Sequence, residues 1–294
     1  MTLYRVTHRT TYRYQKEVSA SYGQMHLLPR AGEGQTCQAT RVVIDPAPDD
    51  LRERLDFYGN RAAFYAIHSE HTSLTVTTTS ELSVNRGGLG LFDVQPWEQV
   101  RDQTAAPGEG GWEPIDFLLD SPLVPVEPAL ADYARPSFPP GRPVLEAVLD
   151  LAQRIHADFE YGPGSTSVTT TAGKVLTARK GVCQDFAHLA IGCLRSLGLA
   201  ARYVSGYLET KPPPGKERLE GADVSHAWAA LWVPEGGWVD IDPTNQQFVN
   251  DRYVTTAWGR DYADIPPLKG VIFTRGVEHE LDVVVDVVPL DDPG

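Results

Sequence analysis

Past residue 180 the apolar pattern switches from a helical period to strand-like runs, and no other feature constrains the fold of this chain as strongly. Phe186, Leu189, Ala190, Cys193, Leu194 and Leu197 recur at offsets of three and four. That stripe predicts a helix over roughly Cys183–Leu197, stopped by Gly198. Three strands follow, Ala200–Leu208, His226–Val233 and Trp238–Ile241. A proline-rich, charged loop from Thr210 to Val224 joins the first two, and Pro234-Glu-Gly-Gly237 forms a tight connection between the second and third. Upstream, Pro143–Phe159 reads as another helix. Pro143 suits its first turn, and Val144, Val148, Leu151 and Ile155 return at helical spacing. With 23 Pro and 26 Gly, the chain is unsuited to long helical bundles.

At 294 residues there is room for about two domains. Residues 1–88 read as an antiparallel β-sandwich. Leu3–His8 alternates apolar and polar residues, Tyr12 and Tyr14 continue the period of two, Arg41–Asp45 is a short strand, and Leu74–Val76 and Leu82–Val84 alternate again. Tyr58-Gly-Asn60 looks like a hairpin turn. Residues 89–142 turn to Gly, Pro and acidic side chains, with Trp97 and Trp112 among them, and read as a linker with short helices at Ile115–Leu119 and Glu127–Arg135. Residues 143–294 form the second domain, ending in a Val/Asp-alternating strand at Leu281–Val288.

The formal net charge of −13, with no Lys/Arg cluster, argues against nucleic acid as a partner. No window approaches the roughly 20 apolar residues of a membrane helix. The start, Met1–His8, lacks a signal-peptide apolar stretch, so cytoplasm is the expected compartment and no membrane partner is expected. Three cysteines, with no Cys-x-x-Cys pair, exclude a zinc ribbon and a disulfide framework.

Of these cysteines Cys183 stands out. It sits where the helical stripe begins, in Gly181-Val-Cys183-Gln-Asp185, so orphan N–H groups and the helix dipole would favour a thiolate. Such placement can bring a thiol pKa from about 8.5 to roughly 3.5–7.5, and the same N–H groups can hold an oxyanion. Gly181 would leave room for a substrate. The fragment is equally consistent with a structural cysteine at a helix start. Cys193 lies on the apolar stripe and reads as core packing, while Cys37 follows a turn with no partner signal. His226 opens a strand after the long loop, where a histidine can meet a thiol on a neighbouring helix and transfer protons near neutrality. Asp242 ends the next strand and would hold the imidazole by its other nitrogen if the strands pair as a hairpin. Asp240 has the same parity, and the strand-end position, level with His226, favours Asp242. His188, five residues after Cys183, is about 140° round the helix and is expected on its surface, away from the thiol. The other histidines show no metal-ligand spacing, so neither metal nor cofactor is expected.

Taken in order, Gly181-Val-Cys-Gln-Asp-Phe-Ala-His-Leu, Gly198-Leu-Ala-Ala-Arg-Tyr-Val-Ser-Gly-Tyr207, His226-Ala-Trp and Trp238 through Asp242-Pro-Thr resemble the transglutaminase-like core, in its bacterial cysteine-protease-like branch. Tyr4–His8, Tyr12-Arg-Tyr14, Leu27-Leu-Pro-Arg30 and Asp56-Phe-Tyr-Gly-Asn60 resemble the β-rich domain that usually precedes it. The resemblance implies a papain-like α+β fold, with the Cys-bearing helix packed on an antiparallel sheet, and triad roles for Cys183, His226 and Asp242. It implies an enzyme acting on peptide or glutamine amides of a peptide or protein substrate through a thioester, as a hydrolase or as a Gln-to-amine cross-linker; hydrolysis is favoured. A non-catalytic peptide-binding module is the remaining alternative. By analogy with related folds, Tyr161 and Gln184 are candidate oxyanion donors, and Trp228 is a candidate for lining the substrate cleft. No EF-hand-like run carries over the calcium dependence of the animal enzymes.

Overall fold

The computed structural model describes residues 1–32, 34–87, 94–106, 113–210, 223–234, 236–276 and 278–290. Most of the predicted 210–224 loop, the first residues of the predicted linker and Trp112 fall outside these ranges. In chain order the strands and helices are β1 (Thr2–Met25), β2 (Gln35–Asp45), β3 (Asp50–Leu55), β4 (Arg61–Ile67), β5 (His71–Val84), α1 (Trp97–Ala105), α2 (Pro128–Ala134) and α3 (Val144–Asp158). Then come β6 (Glu160–Tyr161), α4 (Ala172–Ala178), β7 (Lys180–Gly181), α5 (Cys183–Ser196), β8 (Ala201–Leu208) and β9 (Val224–Val233). The chain finishes with β10 (Gly237–Asp242), β11 (Gln247–Phe248), β12 (Tyr253–Gly259), β13 (Leu268–Thr274) and β14 (His279–Pro289).

The N-terminal unit is a seven-stranded antiparallel sheet built around the long β1. The first half of β1 pairs with β5 and β14, and its second half with β4 and β13. A register irregularity between Arg13 and Val18 separates the halves. Ile44, Leu74 and Val76 from one half share a buried cluster with Met25, Ala63, Tyr65 and Ile67 from the other, so one bent sheet makes its own sandwich core. This differs from an independent 1–88 domain. The C-terminal strand, read from sequence as part of the second domain, pairs with β1 from Tyr4 to Tyr14 and belongs to the first. Its Val285 and Val287 are buried beside Tyr4 and Val6, which gives the Val/Asp alternation its physical cause.

The second unit is α+β. A five-stranded sheet in the order β11-β10-β9-β8-β12 carries α5 across one face. Ala227, Ala229, Leu231 and Val233 alternate toward that helix and meet Leu189, Ile191 and Leu194 in the main core. Each such leucine stabilises the fold by about 1.5–3 kcal/mol on burial. The segment read as a linker is packed into the same core through Val100, Val124 and Leu130, each fully buried. The short helices expected near Ile115–Leu119 and Glu127–Arg135 are present, at Glu113–Leu118 and in α2, but no regular apolar period joins them to mark the segment as core.

The two units meet on β12, an edge strand. Gln35 accepts the Thr255 N–H (2.9 Å) and donates to the Thr255 carbonyl (2.8 Å). Asn60 does the same to Trp258, at 2.9 and 2.8 Å. These amides occupy backbone groups that an open edge would offer to another chain. No helix among the described residues is long and apolar enough to cross a membrane.

Candidate active site

Cys183 is the first residue of α5, reached through β7, whose Gly181 pairs in parallel with Tyr161 of β6. The helix start is locked by Asp185. Its buried carboxylate accepts the Val182 N–H (2.9 Å) and the Thr166 hydroxyl (2.6 Å), the acidic limb of a capping box. A Cβ on Gly181 would lie 2.7 Å from the Asp185 Cβ. The missing side chain therefore lets this cap close, and the substrate-access role suggested by sequence gives way to packing. Cys183 itself is half-buried, while the N–H groups that open α5 have no partner within the helix.

His226 and Asp242 come from adjacent strands of one hairpin. The β9–β10 register pairs Gly237 with Val233 and Ile241 with Ala229. Extended by one step it sets Asp242 opposite Trp228, so Asp242 is diagonal to His226 instead of level with it. On one face, diagonal neighbours are still in reach. The imidazole Nε2 lies 2.7 Å from Asp242 Oδ2, both side chains being almost wholly buried. Asp240, the alternative by parity, is held by Arg86 at 2.8 Å. Burial alone would lower the proton affinity of His226. Hydrogen bonding and charge from Asp242 and Cys183 together outweigh it, and the imidazole holds its proton well above its ordinary range. Burial pushes the Asp242 carboxyl up, but its bond to His226 and donors from Asn245 and Tyr253 bring it below the ordinary value. With Nε2 committed to the carboxylate, Nδ1 is the nitrogen left for Cys183.

Two side chains at this carboxylate went unnoticed in the sequence. Asn245 donates through Nδ2 to Oδ2 at 2.7 Å, and its backbone N–H reaches Oδ1 at 3.2 Å, beside the Thr244 N–H at 2.8 Å. Tyr253 donates its hydroxyl to Oδ2 at 2.7 Å. Asn245 was within sight, since Asp-Pro-Thr-Asn places it three residues on, where an Asx-type turn closes. Nothing local marks Tyr253, which belongs to a strand the sequence pattern did not separate from loop.

The remaining candidates are placed as follows. Tyr161 is 52% exposed, with its ring edge-on to Phe186, and the charges of Cys183 and Asp242 both reach its phenol. Gln184 donates its side-chain amide to the Val168 carbonyl at 3.2 Å. Trp228, expected at the substrate cleft, is fully buried against Tyr253 and Val204, its ring centroid 6.1 Å from that of His226. It backs the imidazole instead of lining open space, because the N-terminal unit covers that face of the sheet. His188 is also buried, contrary to the surface position expected. It accepts the Tyr262 N–H at 3.1 Å, and burial pushes its pKa down to about 3. Among the described residues no group of three His, Cys, Asp or Glu side chains could hold a metal ion.

A helix-borne thiol, an imidazole and a carboxylate from two adjoining strands define a transglutaminase-like, papain-like arrangement. The family model for the bacterial transglutaminase-like N-terminal region matches residues 4–83, and that for the transglutaminase-like superfamily matches residues 132–243, which contain all three side chains. The chain belongs to the transglutaminase-like superfamily. It is 48% identical over 296 residues to an uncharacterized protein of Mycobacterium tuberculosis strain H37Rv, covering 98% of this chain and 93% of that one. To the protein-glutamine gamma-glutamyltransferase of Pseudomonas aeruginosa it is 29% identical over 159 residues, 53% of this chain and 23% of the relative. A crystal structure from Cytophaga hutchinsonii, described as a candidate cysteine protease, shares the fold with a TM-score of 0.78 at 23% identity, covering 100% of this chain and 92% of that one.

Proposed function

We propose that this chain is a cysteine-dependent acyl-transfer enzyme that attacks peptide or glutamine amides and passes the acyl group to water. The observation that carries the proposal is the buried His226–Asp242 pair, 2.7 Å apart, with the imidazole in interaction range of a half-buried thiol at a helix N-terminus. Cys183 sulfur, its proton taken by His226, attacks the carbonyl carbon, and the N–H groups opening α5 stabilise the oxyanion. As the intermediate collapses, the C–N bond breaks and the imidazolium gives its proton to the departing amine, leaving a thioester. Water, deprotonated by His226, then cleaves the C–S bond, releasing a carboxylate and restoring the thiol.

Hydrolysis is favoured because the two indoles that could shield a thioester are engaged elsewhere. Trp228 is buried, and Trp232 packs edge-on to Trp238 at 5.4 Å. The partial likeness to a protein-glutamine gamma-glutamyltransferase supports a second reading, in which a primary amine takes the place of water. Mass spectrometry of a trapped acyl-enzyme tests both. Incubation with glutamine-containing peptides should add acyl mass to Cys183, with free acid as the main product. Amine incorporation outpacing hydrolysis at modest amine concentration rejects the hydrolase. Iodoacetamide labelling of Cys183 at pH 6 no faster than that of an ordinary thiol removes the enzyme altogether.

A further inference from the structure

We propose that Tyr253, seconded by Asn245, is a positioning residue for this reaction: by sharing Asp242 Oδ2 with His226 it holds the imidazole in line and tempers its grip on the proton. The inference rests on the Cys183–His226–Asp242 reading above.

The direction of the phenol proton follows from its neighbours. Gln247 Nε2 donates to the Tyr253 oxygen at 2.8 Å, so the single O–H of Tyr253 is free to point at Asp242 Oδ2, 2.7 Å away. The ring is fully buried, edge-on to Trp228 at 5.4 Å and 6.0 Å from the His226 ring. Its backbone is pinned in β12 opposite Leu208, and Arg86 donates to its carbonyl at 3.4 Å. Thus one Asp242 oxygen receives His226, Tyr253 and Asn245 together. Three donors fix the carboxylate plane, and each extra donor draws off charge that the imidazolium would otherwise feel alone.

That sharing matters because His226 has two opposed tasks. It must keep a proton long enough to pair with a thiolate, then surrender it to a leaving amine. A carboxylate bonded only to His226 would favour the first task at the cost of the second. The titratable groups facing the pair are Cys183 from α5, Tyr161 from β6 and Tyr253 from β12, with Arg252 acting on Tyr253. Of these, Tyr253 is the one hydrogen-bonded to the carboxylate.

The test is the pH profile of Cys183 alkylation by iodoacetamide on the full chain, with wild type, Tyr253→Phe, Asn245→Ala and His226→Ala compared. Tyr253→Phe keeps the ring and removes the donor. The upper inflection, where His226 loses its proton, should rise by roughly 0.5–1 pH unit. Asn245→Ala should move it the same way, and it decides the matter if Tyr253→Phe does not fold. An upper inflection that stays put or falls in a folded variant overturns the positioning role, because loss of packing alone would not move it upward. If His226→Ala leaves the wild-type profile intact, the thiol–imidazole reading itself fails, an outcome distinguishable from the first.

Discussion

On the α5 side, the core sheet presents Ala227, Ala229, Leu231, Val239 and Ile241, small or aliphatic groups that a helix can cover closely. On the other side, facing the N-terminal unit, stand Trp228, Trp238, Tyr253, Asp240 and a buried Arg202, whose guanidinium lies 4.3 Å over the Trp238 ring and 3.7 Å over Trp258. One face is held by shape and the other by directed contacts. His226 and Asp242 belong by parity to the polar face, Cys183 to the helix on the apolar one, and they meet at the sheet end where β9 begins and β10 finishes. Asp240 and Asp242 make the contrast finer. Two residues apart on one strand and one face, the first anchors Arg86 and the second His226. Residue type does not distinguish them; the partner does, together with the deeper burial of Asp242.

If the faces divide labour in this way, substitutions on each should separate chemistry from stability. His226→Ala on the polar face should cut thioester formation roughly 10³-fold or more. A variant retaining most of its turnover would erase the distinction. Leu231→Ala on the apolar face should cost about 2–5 kcal/mol in urea unfolding while folded protein still alkylates at Cys183. Arg86→Ala breaks a nearly buried ion pair and should cost about 3 kcal/mol, much of it recovered when Asp240→Asn is added.

A smaller effect concerns pH. The stability that comes from the raised proton affinity of His226 is complete below its unfolded pKa of about 6.5 and is lost as pH rises through the higher folded value. Asp242, lowered on folding, contributes above an unfolded value of about 3.9, and its share is lost as pH falls through the lower folded value. The deficit of His226→Gln against wild type, about 2 kcal/mol, should therefore be largest between roughly pH 4 and 6.5 and shrink in alkali. A pH-independent deficit would mean that the pair is not charged as described. Least of all, Gln35→Ala removes both amide contacts to β12 and should cost about 1–2 kcal/mol without touching Cys183 labelling.

Much of this arrangement was legible because it is local. Cys183 announces itself by the onset of a helical stripe, and His226 and Asp242 by the ends of two strands joined through a short turn. The rest depends on contacts far apart in sequence. Pairing of β14 with β1 leaves only an alternation of Val and Asp, which says that a strand exists and not where it goes. Tyr253 carries no mark of its neighbour Asp242, since Tyr-Val-Thr-Thr suits many strands. Trp228 and His188 were misplaced for one reason: parity and helical angle give a direction but not what lies in that direction. In both cases another part of the chain does.

The pairing of β14 along Tyr4–Tyr14 sets an order on biosynthesis. The ribosome makes β1 long before its partner at 279–289, so the sheet that β1 starts cannot be completed until the helices and strands between them have emerged. The thiol-bearing half has its strands and helices within one contiguous stretch and can assemble while translation continues. The opening half must wait with an unfinished edge. Of the two units described, the one whose first strand is made earlier is the one completed later.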